Sequence, residues 1–90
     1  MTDDELSELL TLTVEVNNQG TIRYLNHLGQ LHRVLGPAVI YSDGSEDWYQ
    51  SGLLHRTDGP AVIYPSGDQY WYLEDCILTQ EEFNERLRTF

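Results

Sequence analysis

Residues 31–52 read LHRVLGPAVIYSDGSEDWYQSG, and residues 54–75 read LHRTDGPAVIYPSGDQYWYLED. The two stretches agree at 12 of 22 positions without a gap, so the chain carries a 23-residue period. A period of that length marks a repeat architecture, in which one supersecondary unit is stacked on copies of itself. Residues held identical between copies build the stack, and residues that differ are where a binding surface is sought. Within each copy Gly-Pro (36–37 and 59–60) fixes the entry to a strand, Ala-Val-Ile-Tyr. Ser42-Asp43-Gly44 and Pro65-Ser66-Gly67 supply a turn, and a return strand carries Trp48-Tyr49 or Trp71-Tyr72. Gly20, Tyr24-Leu25 and Gly29 form a weaker earlier copy with one inserted residue.

Outward from the repeats, Thr2 with Glu5 is a capping box, which predicts a helix over about residues 3–11, with Leu6, Leu9 and Leu10 on one face. Thr11 to Val16 alternate as a strand, a turn follows at residues 17–20, and Thr21 to Asn26 form a second strand. Thr79 with Glu82 is a second capping box. Acids in the next turn and arginines in the last predict a C-terminal helix that covers the open end of the sheet. The expected organisation is one domain, residues 1–90: an N-terminal helical segment (1–11), a β-repeat sheet (12–76) and a capping helix (79–88). The fold class is mainly β (α+β), a meandering antiparallel sheet of repeated β-hairpins with a short helix at each end.

Fifteen acidic residues against five arginines and no lysine give a formal charge of −10. Such a surface repels phosphates and anionic headgroups, which argues against direct nucleic-acid or membrane binding and towards a basic protein partner. Solubility alone is the alternative reading of the same charge. Cys76 is the only cysteine, so neither an internal disulfide nor a multi-cysteine metal site is expected. The first ten residues, MTDDELSELL, have no signal-peptide pattern, and a cytoplasmic protein is expected, in the host-cell cytoplasm if phage-encoded.

Trp48-Tyr49-Gln50-Ser51-Gly52, Trp71-Tyr72-Leu73-Glu74-Asp75 and the degenerate copy at Tyr24 resemble the closing signature of MORN repeats (membrane occupation and recognition nexus). The resemblance covers residues 20–76 and implies stacked β-hairpins in a small interaction protein, of a kind found among phage and bacterial antitoxin or immunity-type proteins. Leu-His-Arg-x-x-Gly-Pro-Ala is not part of the usual unit, and with no lysine present the resemblance does not extend to lipid binding.

His32-Arg33 and His55-Arg56 sit at one phase of the repeat, which makes them structural rungs sooner than a general acid–base pair. Each arginine then pairs an acid such as Asp58, Asp47 or Asp75. His27 stands in an irregular turn, and Asp43-x-x-Glu46-Asp47 lacks calcium-loop spacing. No catalytic residue, metal or cofactor is expected. Adjacent strand positions put one ring of each Trp-Tyr pair on either face of the sheet. The copies diverge at residues 45–47 against 68–70 and at 50–52 against 73–75. The expected partner-binding set is therefore Asp43, Glu46, Asp47, Trp48, Tyr49, Asp58, Asp68, Tyr70, Trp71, Tyr72, Glu74 and Asp75, with the carboxylates along one side. The expected function is a non-enzymatic acidic protein-binding module, an inhibitor of phage anti-defence (anti-CRISPR-like) or antitoxin type that blocks a basic, nucleic-acid-handling protein. A MORN-like scaffold that self-associates, as a homodimer or larger, is the alternative.

Overall fold

Turn chemistry sets the strand spacing. In the computed structural model, which describes residues 2–88, loops 17–21, 26–30, 41–45 and 64–68 close with the same pair of backbone bonds. The first residue's N–H donates to the carbonyl of the fifth, and the glycine in fourth place donates back to the first. Those glycines (Gly20, Gly29, Gly44, Gly67) hold φ of 77° to 96°, where a Cβ would be strained. Asn17 and Asn26 reinforce their loops by accepting two backbone N–H groups each on Oδ1.

Along the chain the elements are α1 (Asp3–Thr11), β1 (Thr13–Val16), β2 (Ile22–Leu25), β3 (Val39–Ile40), β4 (Glu46–Asp47), β5 (Tyr49–Gln50), β6 (Leu53–Leu54), β7 (Val62–Ile63), β8 (Gln69–Leu73), β9 (Cys76–Leu78) and α2 (Gln80–Arg88). Seven strands form a meandering antiparallel sheet in the order β1-β2-β3-β4-β7-β8-β9, and β5-β6 is a separate ladder. The split arises at Trp48, whose N–H donates to Ala61 while its carbonyl accepts from His55. One continuous stretch of chain thus serves two neighbours.

Cross-strand register assigns the faces. Glu15, Arg23, Val39, Asp47, Val62 and Tyr70 are opposed in turn and share one face. Ile22, Ile40, Glu46, Ile63 and Gln69 share the other. The buried apolar residues are Leu25, Ala38, Val39, Ala61, Val62, Leu73 and Phe83. Ala38 and Ala61 have no exposed surface, so the alanine after Gly-Pro stands where a longer side chain would not fit.

Both capping boxes are present. Thr2 Oγ1 accepts from Glu5 N–H and Glu5 accepts from Thr2 N–H; Thr79 and Glu82 exchange the same bonds at 3.1 and 2.9 Å. α2 packs on β8 and β9 through Phe83, which is only 3% exposed. α1 spans the expected residues and docks through a polar side chain. Leu6 and Leu10 are exposed and the side chain of Leu9 lies outside those described, while Glu8 is buried. Glu8 docks the helix by accepting the N–H groups of Val34 (2.8 Å) and Leu35 (3.0 Å). A buried carboxylate paired with backbone amides thus anchors the helix.

Candidate functional site

The Leu-His-Arg-x-x-Gly-Pro motif builds an arginine rung. The Arg56 guanidinium lies 3.7 Å from the Trp48 ring and donates through Nη1 to the Pro60 carbonyl at 3.0 Å. Twenty-three residues earlier, Arg33 lies 4.0 Å from the Tyr24 ring and donates to Pro37 at 3.3 Å. Gly59 and Gly36 complete the slot: a Cβ at either would come within 3.0 or 2.9 Å of the guanidinium carbon. The counterions differ. Arg56 Nε pairs with Asp58 at 2.7 Å, whereas Arg33, with Leu35 at the equivalent place, faces Glu8 of α1 at 3.9 Å. The N-terminal helix supplies the acid that the first copy lacks. The Trp48 indole N–H is buried without an acceptor among the described residues, so this tryptophan serves through its ring face.

The histidines cap turns. His32 Nδ1 accepts the N–H of Ser51 at 2.9 Å, and His55 Nδ1 accepts that of Glu74 at 3.0 Å. Each ring thereby commits its Nδ1 lone pair to a backbone amide. Ser51, Glu74 and Asp75 are the non-glycine residues with positive φ among those described, at 50°, 47° and 67°, so the caps stand where the backbone is strained. Backbone bonds repeat beside them: Gly52 N–H to Leu31 and Asp75 N–H to Leu54, then Arg33 N–H to Tyr49 and Arg56 N–H to Tyr72.

The face that carries Asp47 is different in kind. Tyr41, Tyr64 and Tyr70 are 39%, 46% and 41% exposed, beside half-buried Tyr49 and Tyr72. An open depression of about 300 Å³ is lined by Asp47, Val62, Tyr64, Tyr70, Tyr72 and Ile77, among others. Tyr64 and Tyr70 meet edge to face at 6.0 Å. The Tyr41 hydroxyl donates to Asp47 Oδ2 at 2.8 Å. Burial raises the carboxyl pKa of Asp47 above its usual value, against the lowering effect of that bond. Burial, then the Asp47 bond and charge, push the Tyr41 hydroxyl up to about 12, and burial followed by the Asp47 charge also raises Tyr49. These groups are held neutral or partly dehydrated around one carboxylate that forms no ion pair among the described residues.

The expected binding residues divide among several places. Asp47, Tyr49, Tyr70 and Tyr72 come together on the tyrosine face. Trp48 and Trp71 lie on the other side of their strands, Trp48 beneath Arg56. Glu46 shares that second face with Ile40 and Ile63. Asp58 is bound to Arg56, and Asp43 and Asp68 sit in exposed turns. Asp43 accepts Ser45 N–H, the main reason its carboxyl lies below the usual value, and Asp68 accepts from Ser66 Oγ. Glu74 is exposed beside Asp75, which accepts Leu54 N–H. The carboxylates therefore lie on both faces and in separate turns and form no single strip. Tyr41 and Tyr64 are the functional candidates that the sequence reading passed over. Their signal was the alternation within Ala-Val-Ile-Tyr, which sets each tyrosine on the face of Val39 or Val62.

Among the described residues no three His, Cys, Asp or Glu side chains converge as a metal site, and no helix is long and apolar enough to cross a membrane. Comparison with protein-family models, with curated proteins and with solved structures finds no match.

Proposed function

We propose that this chain is a non-enzymatic protein-binding module, an array of MORN-like β-hairpins that presents its tyrosine face to a basic protein partner. The observation that carries the reading is the open cluster of half-exposed tyrosines around Asp47 on a chain of net charge −10. Rigid tyrosine rings supply contact area at low entropic cost, and the negative field steers a basic partner to them. Asp47, Tyr49, Tyr70 and Tyr72 are the contact residues, joined by Tyr41 and Tyr64. The setting that fits is an inhibitor of the anti-CRISPR or antitoxin type, which occupies the basic groove of a nucleic-acid-handling protein. The commitment of both histidine Nδ1 atoms to turn capping supports the non-enzymatic reading. The test is capture of partners from bacterial lysate at low and high salt. A nucleic-acid-binding protein that is retained at low salt, lost at high salt and displaced from its nucleic acid by this chain supports the reading; a salt-indifferent complex opposes it.

A second reading, self-association as a scaffold, draws on the edge strand β1, in which Val14 and Val16 are 54% and 67% exposed. Light scattering decides it: a monomer at working concentration removes the scaffold.

A further inference from the structure

We propose that the tyrosine face seats an arginine side chain of the partner, its guanidinium over the rings that line the depression and paired with Asp47. This rests on the binding reading above and narrows it to one kind of anchor.

The opposite face shows how this chain holds Arg33 and Arg56. Each has an aromatic ring beneath it (Trp48 or Tyr24) and a carboxylate beside it (Asp58 or Glu8). The tyrosine face has the rings and the carboxylate, and among the described residues Asp47 forms no ion pair. Arg23, the arginine in the same cross-strand row, is two strands from Asp47 and pairs with Glu15 at 3.3 Å. Among the described residues the Asp47 side chain is bonded by Tyr41 alone, through Oδ2, so Oδ1 remains for a second donor. A half-buried carboxylate whose pKa is raised by burial is one the folded chain ionises at a cost, and an incoming cation would offset that cost. Lysine meets the charge requirement but not the shape. A planar, weakly hydrated guanidinium stacks on rings and shares an acid at the same time, whereas an ammonium is compact and strongly hydrated.

The test is a titration of the full chain at physiological salt with a tetra-arginine peptide and, separately, a tetra-lysine peptide. The arginine peptide is expected to bind about tenfold more tightly. Asp47→Asn, which keeps an acceptor for the Tyr41 hydroxyl, is expected to lose about tenfold, and Tyr64→Leu, at an exposed ring, several-fold. Glu81→Gln removes the same charge from the exposed first turn of α2 and is expected to change binding by less than about twofold. Equal binding of the two peptides, or equal losses in Asp47→Asn and Glu81→Gln, would mean attraction by net charge and overturns the proposal. If a partner protein binds wild type and Asp47→Asn equally, the arginine seat falls while the binding reading stands.

Discussion

Replacing Arg56 by alanine isolates the interaction that the repeat motif exists to make. Its side chain is 19% exposed, and three contacts end together: the Trp48 ring at 3.7 Å, the Pro60 carbonyl at 3.0 Å and Asp58 at 2.7 Å. A largely desolvated cation–π contact is worth about 1–2 kcal/mol and a charged hydrogen bond about 1.5. The ion pair is the shortest contact but the weakest, because Asp58 is 76% exposed and solvent screens it to under about 1 kcal/mol. The expected loss is about 3 kcal/mol for Arg56→Ala and less than about 1 for Asp58→Ala. Arg56→Lys falls between, since an ammonium cannot stack and reach Pro60 together. Urea unfolding followed by tryptophan fluorescence measures all three, with Trp48 reporting the lost cover directly. Asp58→Ala costing as much as Arg56→Ala, or Arg56→Lys matching wild type, would refute the reasoning, because the ion pair or the charge alone would then hold the rung.

Glu8→Ala removes the carboxylate that holds Val34 and Leu35 N–H, and a loss of about 2–4 kcal/mol is expected, with faster hydrogen exchange at those two amides. Phe83→Ala empties the contact of α2 with the sheet; a loss of about 3 kcal/mol and release of the helix are expected, read by thermal unfolding and circular dichroism. Tyr41 titrates at about 12 when folded against 10.0 for the free side chain, so the unfolded chain ionises first. The stability this group contributes is full below pH 10 and is lost as pH rises through about 12. Tyr41→Phe should flatten that part of the profile, and phenolate absorbance should lose its latest-titrating component in the variant while Tyr49, raised by burial and the Asp47 charge, still titrates late.

Local signals carried much of the architecture. The turn glycines and both capping boxes are short-range patterns, and each has its physical counterpart within a few residues of chain. Of the three acids expected to pair the arginines, only Asp58, two residues from Arg56, does so; Arg33 takes Glu8 instead. The docking of α1 was not legible. Glu8 meets amides 26 and 27 residues away, and nothing in its neighbourhood distinguishes it from the solvated acids around it. Alternation told that the rings of a Trp-Tyr pair part company, but their roles depend on the break at Trp48 and on the register that sets Asp47 opposite Val39 and Val62. The same register separates Glu46 from Asp47, so a run of acids that reads as one patch is divided between two faces. Tyr41 and Tyr64 were obscured by their identity in both copies, since repetition suggested scaffold, and only their exposure marks them as surface.

The most direct test of the central claim is nuclear magnetic resonance of the chain with isotope-labelled tyrosine and tryptophan rings, titrated with the captured basic partner. The account predicts that the rings of Tyr49, Tyr64, Tyr70 and Tyr72 shift and broaden while Trp48, covered by Arg56, stays in place. Shifts confined to Trp48 and Trp71, with the tyrosine rings unmoved, would contradict it.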